Sequence, residues 1–271
     1  MKFTPPFSIF LSLLVFQLFS SSSFAQIDKD NIVSAYQSRY VFATNVNLRS
    51  MPSLNGEIVG KVNEGDVVQI MKTLKREIIG NLEGFWVKVH FNGKIAYMWD
   101  GLLARWGEKA GTNPDYLFLV GKGSTGEMTR MKIFFQGNKV DDFEFKGVRT
   151  YSGMYSGKLT GPKGVHGVKE FIFLEYSAEA CGEINGSTIF AFDGKKVHRF
   201  FDDHGMGDSG FFESYHMVFP SDPIGKTGEL HVFDQAGETI YDEEGKEGET
   251  EFSKNIHKVF KWTGNKLIQI K

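Results

Sequence analysis

An all-β fold is the structure that this 271-residue sequence predicts, and three observations support it. Short apolar or alternating runs recur along the chain, and pairs of them are joined by turns that contain glycine. Outside the N-terminal segment, no window of about 12 residues keeps the 3.6-residue apolar period of an amphipathic helix. The sequence also contains 31 Gly and only 7 Pro, a composition that suits many tight turns between strands.

The N-terminus predicts a secretory signal peptide over residues 1–25. The run Phe7–Phe19 is apolar, and Ser23 and Ala25 occupy the two small-residue positions that signal peptidase requires. This run is shorter than the roughly 20 residues of a permanent membrane helix, although an uncleaved anchor remains the alternative. We therefore expect an exported protein, periplasmic or extracellular, that has no membrane span after cleavage.

Composition restricts the partners and the sources of stability. The chain has 31 Lys and Arg against 33 Asp and Glu, a net charge of −2, which excludes a generally basic nucleic-acid surface. The sequence contains 1 Cys, so no intramolecular disulfide can form despite the predicted oxidising destination. Stability must come from an apolar core, to which 26 Phe offer large burial per residue.

Four predicted hairpins carry most of the strand signal. The pairs Asn92-Gly93 and Asp193-Gly194 tolerate positive φ at both central turn positions, and Gln136-Gly137-Asn138 and Thr263-Gly264-Asn265 serve the same purpose less stringently. The turn glycines at 93, 137, 194 and 264 are 44, 57 and 70 residues apart. Because propeller blades recur at a nearly constant period, this drift argues against a repeat architecture.

A domain boundary is predicted at residues 107–114, which are polar and rich in turn formers. This linker separates a unit at residues 40–106 from a β-rich domain of unknown function at residues 115–271. The first unit is small for a lone core, but five short strands that close as a barrel can stabilise it. The second contains roughly ten strand-like runs, which is typical of an antiparallel β-sandwich or an open barrel. Residues 26–39 are polar and predict a leader or a short helix.

The first unit has an ordered set of anchor residues. An Asn-Leu-Arg segment leads into a Pro-containing loop, a Trp-x-x-Val strand follows, and an Asn-Gly hairpin leads to an aromatic strand. The anchors are Asn47, Leu48, Arg49, Pro52, Gly60, Gly65, Trp86, Val89, Gly93 and Tyr97. This unit resembles the bacterial SH3 domain family (SH3b), which implies an SH3-like barrel. Two departures are visible: Ala96-Tyr97 stands where Gly-Trp is usual, and Lys72–Glu83 predicts a longer loop than is typical.

The resemblance implies a non-catalytic binding module of exported bacterial proteins, which takes peptidoglycan peptides or extended protein segments. Aromatic-lined grooves suit extended chains. The candidate groove residues are Trp86, Tyr97 and Trp99, with Asn47 and Arg49 as polar contacts. Two alternatives stay open, in which Trp86 belongs to the core and Arg49 braces its loop. We expect no cofactor, no metal and no catalytic residue.

The alternative is a cell-envelope hydrolase with its site in the C-terminal domain. Cys181 would need a nearby His to act as a nucleophile, and its strand-like surroundings favour a buried, inert thiol. The segment Asp202–Glu213 is rich in acids and glycines and could hold a metal through oxygens or His204. However, Met206 stands at a ligand position without an oxygen, which favours a solvated loop. No Gly-x-Ser-x-Gly elbow surrounds Ser209.

Overall fold

The computed structural model describes residues 37–125, 127–146, 156–177, 182, 184–241 and 247–271. Within these ranges the fold is all-β, with eighteen strands in three antiparallel sheets and one 3₁₀ turn at Asp100–Leu102. The predicted fold class is thereby confirmed. No helix in the described ranges has the length and apolar character needed to cross a membrane. The predicted signal peptide at residues 1–25 lies outside the described residues.

The first sheet has six strands and curls around the core of the N-terminal unit. In hydrogen-bonded order they are β1 (Gln37–Tyr40), β4 (Val67–Ile79), β5 (Leu82–Phe91), β6 (Lys94–Trp99), β2 (Val46–Arg49) and β3 (Ile58–Val62). Alternate side chains point inward, as a curled sheet with one buried face requires. Those side chains form an apolar cluster of Val46, Leu48, Val62, Val68, Ile70, Val87, Val89, Ala96 and Met98. Strand β1 is a sixth strand, which begins within the predicted leader.

The prediction of a long loop at Lys72–Glu83 was wrong, because these residues continue β4 and β5 into an extended hairpin. Ile79 pairs with Leu82, and the chain reverses at Gly80, whose φ is 63°. Pairing satisfies the backbone N–H and C=O groups of both arms, which an irregular segment of this length would leave to solvent. Glu77 of this hairpin accepts a hydrogen bond from the Trp86 Nε1, so the hairpin lies against the barrel.

The second sheet has four strands and shares a small core with the barrel. In order they are β10 (Asn138–Lys146), β9 (Met128–Phe135), β8 (Tyr116–Lys122) and β7 (Trp106–Lys109). Strand β7 occupies the first part of the predicted linker at 107–114. The shared cluster contains Phe42, Ala104, Leu119 and Phe134, to which Tyr40 and Leu117 add partly buried surface. The barrel therefore continues into this sheet without a solvated spacer.

The third sheet is an eight-stranded meander in chain order. Its strands are β11 (Ser156–Leu159), β12 (Glu170–Tyr176), β13 (Asn185–Phe192), β14 (Val197–Asp208), β15 (Phe211–Val218), β16 (Leu230–Tyr241), β17 (Glu247–Trp262) and β18 (Leu267–Gln269). One face of β12 and β13 packs on the second sheet in an aromatic core, where the rings of Phe118 and Phe192 lie edge to face at 5.4 Å. The other face packs on β14 to β18 around Phe171 and Phe219. Both faces of β12 and β13 are thus covered.

Candidate functional site

The five residues predicted to bind ligand lie on the outward face of three neighbouring strands. Trp86 of β5 stands opposite Trp99 of β6, and Tyr97 of β6 stands opposite Arg49 of β2. Residues directly opposite in an antiparallel pair point to the same side of the sheet. Asn47 precedes Arg49 by two positions and so shares its face. The fold brings all five together, while their contact with a ligand stays a prediction.

The two tryptophans on this face are covered by the β4–β5 hairpin. Trp86 is 1% exposed and Trp99 is 5% exposed. The Trp86 Nε1 donates to Glu77 Oε2 at 2.7 Å, and the Trp99 Nε1 donates to the Glu77 carbonyl oxygen at 3.2 Å. Hydrogen bonds from Lys75 and then from Trp86 lower the pKa of Glu77. These rings hold the hairpin in place, which agrees with the core alternative for Trp86.

The two polar residues on β2, Asn47 and Arg49, differ in their hydrogen bonding. The Arg49 Nη1 donates to the Gly56 carbonyl oxygen at 2.7 Å and so braces the Pro-containing loop. The Asn47 Oδ1 is buried, and no described residue donates a hydrogen bond to it. A buried acceptor without a donor costs free energy.

A row of four side chains crosses this face at right angles to the strands. Lys72 of β4 stands opposite Lys88 of β5, Lys88 opposite Tyr97, and Tyr97 opposite Arg49. We call these four residues the basic row. At the usual strand spacing the row is about 14 Å long. Like charges on opposed positions are destabilising, and in the described part of the chain no carboxylate forms an ion pair with the three cations. The row therefore favours the approach of an anion.

Two members of the basic row were missed by sequence reasoning, for different reasons. Lys88 follows Trp86 by two positions, so strict alternation along β5 would have placed it beside the predicted residues. Lys72 follows Ile70 by two positions, and Ile70 points into the core, so alternation alone would point Lys72 inward too. However, the pairing register between β4 and β5 shifts between these two residues. Such a bulge reverses the alternation, and the sequence does not show where it occurs.

The segment Asp202–Glu213 is a hairpin, and the prediction of a solvated loop there was wrong. Strands β14 and β15 meet at Ser209 and Gly210, whose φ values are 49° and 96°. This left-handed pair fits the tight turn that joins twisted strands, and side chains beyond it alternate between the two faces. In the parts of the chain that the structure describes, no group of three His, Cys, Asp or Glu could hold a metal. Cys181 lies outside the described residues.

Comparison with known proteins identifies the barrel. The family model of the bacterial SH3 domain matches residues 44–104, from the turn before β2 to the residues after the 3₁₀ turn. No curated protein and no solved structure matches the chain significantly. The matched segment contains the strands that present Arg49, Lys88 and Tyr97, and it ends before β7. Residues 44–104 of this chain are a bacterial SH3 domain.

Proposed function

We propose that this chain is an exported, non-enzymatic recognition protein of the cell envelope. Its SH3 domain would bind peptidoglycan peptide or an extended protein segment. The match to a bacterial SH3 domain suggests a module that binds cell-wall material. The signal-peptide pattern of residues 1–25 supports export.

The observation that carries the proposal is the basic row. Its chemistry fits an extended peptide that bears carboxylates, because three cations lie in line around one phenol ring. An extended peptide rises about 3.3 Å per residue, so the row matches roughly four residues of such a ligand. The Tyr97 ring offers flat apolar contact at a low entropic cost. The whole chain carries a net charge of −2, so this local excess of cations is not a general surface property.

Cosedimentation of the full protein with purified, insoluble peptidoglycan tests the proposal. We expect Lys88→Glu to weaken binding about tenfold, because a reversed charge near 4 Å replaces attraction by repulsion of similar size. Tyr97→Ala should weaken binding by a similar factor through lost ring contact. Lys94→Glu is the matched control. Lys94 is an exposed lysine on β6, and it lies three positions before Tyr97, so its side chain points to the opposite face of the strand.

The salt dependence gives a second readout. Binding by the unsubstituted protein should fall between about 50 mM and about 300 mM NaCl, and binding by the Lys88→Glu variant should fall less. Equal retention of Lys88→Glu, Tyr97→Ala and the unsubstituted protein would remove the basic row from the binding surface. A loss caused equally by Lys94→Glu would show a non-specific charge effect.

A further inference from the structure

A cavity of about 560 Å³ lies between the second and third sheets, where the turn that follows β7 meets the connection from β11 to β12. Its size is within the range of small-molecule sites. The half-buried Tyr116 lines it, and the fully buried Phe118 and Phe192 lie behind Tyr116. Pro162 and Val168 complete the apolar wall. Most of the surface that a ligand would meet is therefore apolar.

The rings of the cavity meet at right angles. Tyr116 and Phe192 lie 5.2 Å apart with an interplanar angle of 74°, and Phe118 and Phe192 lie 5.4 Å apart at 88°. At these angles the edge of one ring points toward the face of its neighbour. Ring faces attract cations through the aromatic quadrupole, and the attraction grows when water is excluded.

A buried carboxylate lines the same cavity. Glu170, the first residue of β12, is 2% exposed. Its Oε2 accepts a hydrogen bond from the Thr112 hydroxyl at 3.0 Å, and its Oε1 accepts one from the Gly161 backbone N–H. Both donors are neutral, and among the described residues no cation forms an ion pair with this carboxylate. A buried charge without a counterion is costly, so a cation supplied by a ligand would be stabilising.

The other charged groups near the cavity include Glu108, Lys158 and Lys169. Burial, and then the charge of Glu170, raise the pKa of Glu108, while Lys158 acts in the opposite direction. Lys169 lines the cavity but is exposed, and its side chain runs beside Gly194. Glu170 is therefore the acid that lines the cavity, Glu108 lies within electrostatic range of it, and Lys169 is exposed.

We propose that this cavity binds a small organic cation, an ammonium group attached to an apolar body. The ammonium group would lie against the carboxylate of Glu170, and the apolar body would lie against Tyr116, which Phe118 and Phe192 support from behind. The buried carboxylate without a counterion and the aromatic corner in one cavity carry this assignment. It is independent of the function proposed for the SH3 domain.

Calorimetric titration of the full protein with two probes tests the assignment. Benzylammonium and benzyl alcohol have nearly the same shape and differ in charge. We expect benzylammonium to bind at least about tenfold more tightly, as a single charge-assisted contact of ordinary strength provides. In the Glu170→Gln variant the preference should disappear. Glu175→Gln is the matched control, because Glu175 also lies on β12 and accepts a hydroxyl hydrogen bond, from Ser156 at 3.0 Å.

Three results would overturn the assignment. The first is equal affinity of the unsubstituted protein for the two probes, and the second is binding of neither probe at about 10 mM. The third is a preference for benzylammonium that persists in Glu170→Gln. Should Glu170→Gln fail to fold, Tyr116→Leu replaces it. That variant should lose benzylammonium affinity by more than it loses benzyl alcohol affinity, and an equal loss would contradict the aromatic contribution.

Discussion

Replacement of Lys132 by Met perturbs the most buried ion pair between the barrel and the second sheet. The Lys132 side chain is 7% exposed and belongs to β9. Its Nζ donates to the Phe42 carbonyl oxygen at 2.7 Å and to the Glu64 carboxylate, and it lies 4.4 Å from the centroid of the Phe42 ring. Glu64 is itself only 14% exposed. The substitution would leave a buried carboxylate and a buried carbonyl oxygen without their common donor.

The expected loss in the free energy of unfolding is about 3 kcal/mol. Breaking a buried pair by removal of one partner costs roughly 3–5 kcal/mol. The lower end applies here, because Lys139 Nζ lies 3.7 Å from Glu64 Oε2 and compensates part of the charge. Methionine fills a similar volume, so the contribution from a cavity should be small. This loss corresponds to on the order of a hundredfold in the unfolding equilibrium constant.

Urea denaturation at neutral pH, followed by circular dichroism, measures the effect. The double variant Lys132→Met/Glu64→Gln removes the stranded charge and should recover at least about 1 kcal/mol relative to Lys132→Met alone. Lys139→Met is the control, because that lysine is 40% exposed and an exposed partner is expected to contribute less than about 1 kcal/mol. A loss below about 1 kcal/mol for Lys132→Met, or a double variant no more stable than the single one, would refute the reasoning.

Two further outcomes follow from local contacts. Burial acts to lower the pKa of His216, but the hydrogen bond and charge of Asp203, whose Oδ2 lies 2.7 Å from the His216 Nδ1, outweigh it and the pKa is raised. A group whose pKa is higher in the folded state than in the unfolded state stabilises the fold fully at pH values below its unfolded-state pKa. This stabilisation is lost as the pH rises through its folded-state pKa. The stability advantage over His216→Gln in urea titrations should therefore be larger near about pH 5.5 than near about pH 8.5, and an equal advantage would contradict this. Separately, Gly101→Ala would place a methyl group in the Trp99 ring and should cost about 1–3 kcal/mol in thermal denaturation. Gly111→Ala meets open space and should change nothing, so equal effects of the two glycine substitutions would contradict the packing argument.

Turn chemistry made much of the fold predictable. Asn92 and Gly93 have φ values of 47° and 78° and join β5 to β6, as the Asn-Gly pair indicates. Gln136 and Gly137 have φ values of 49° and 81° at the β9–β10 turn. The conformation of a tight turn depends on its own residues, and few residue types adopt positive φ. Hairpins could therefore be located without knowledge of the remaining structure.

Long-range contacts were beyond sequence reasoning. Lys132 and Glu64 are 68 positions apart, and no local pattern pairs them. The acids and glycines of Asp202–Glu213 indicate a loop by composition, but pairing with β13 and β16 on either side makes the segment part of the sheet. Composition reports what a segment favours alone, whereas strand pairing is decided by its neighbours.

The candidate site was predictable in part. Alternation places Asn47 and Arg49 on one face of β2, and the same rule applied to β5 and β6 relates Trp86 to Tyr97 through the hairpin register. The burial of Trp86 depends instead on the β4–β5 hairpin, which carries Glu77 over the indole ring. That hairpin was predicted as a loop, so its effect on the aromatic face could not be anticipated.

The cluster shared by the barrel and the second sheet also determines which segment of this chain could be transferred to another protein and still fold. A domain whose apolar surface is closed on itself can be transplanted as a unit. Here the Phe42 ring lies against Gly121 of β8, and Leu119 and Phe134 cover the same patch. A graft of residues 44–104 would lack Phe42 and would leave Ala104 and its surroundings open to water. The four-stranded sheet would have to move with the barrel, and β12 and β13 with it, because they cover the other face of that sheet.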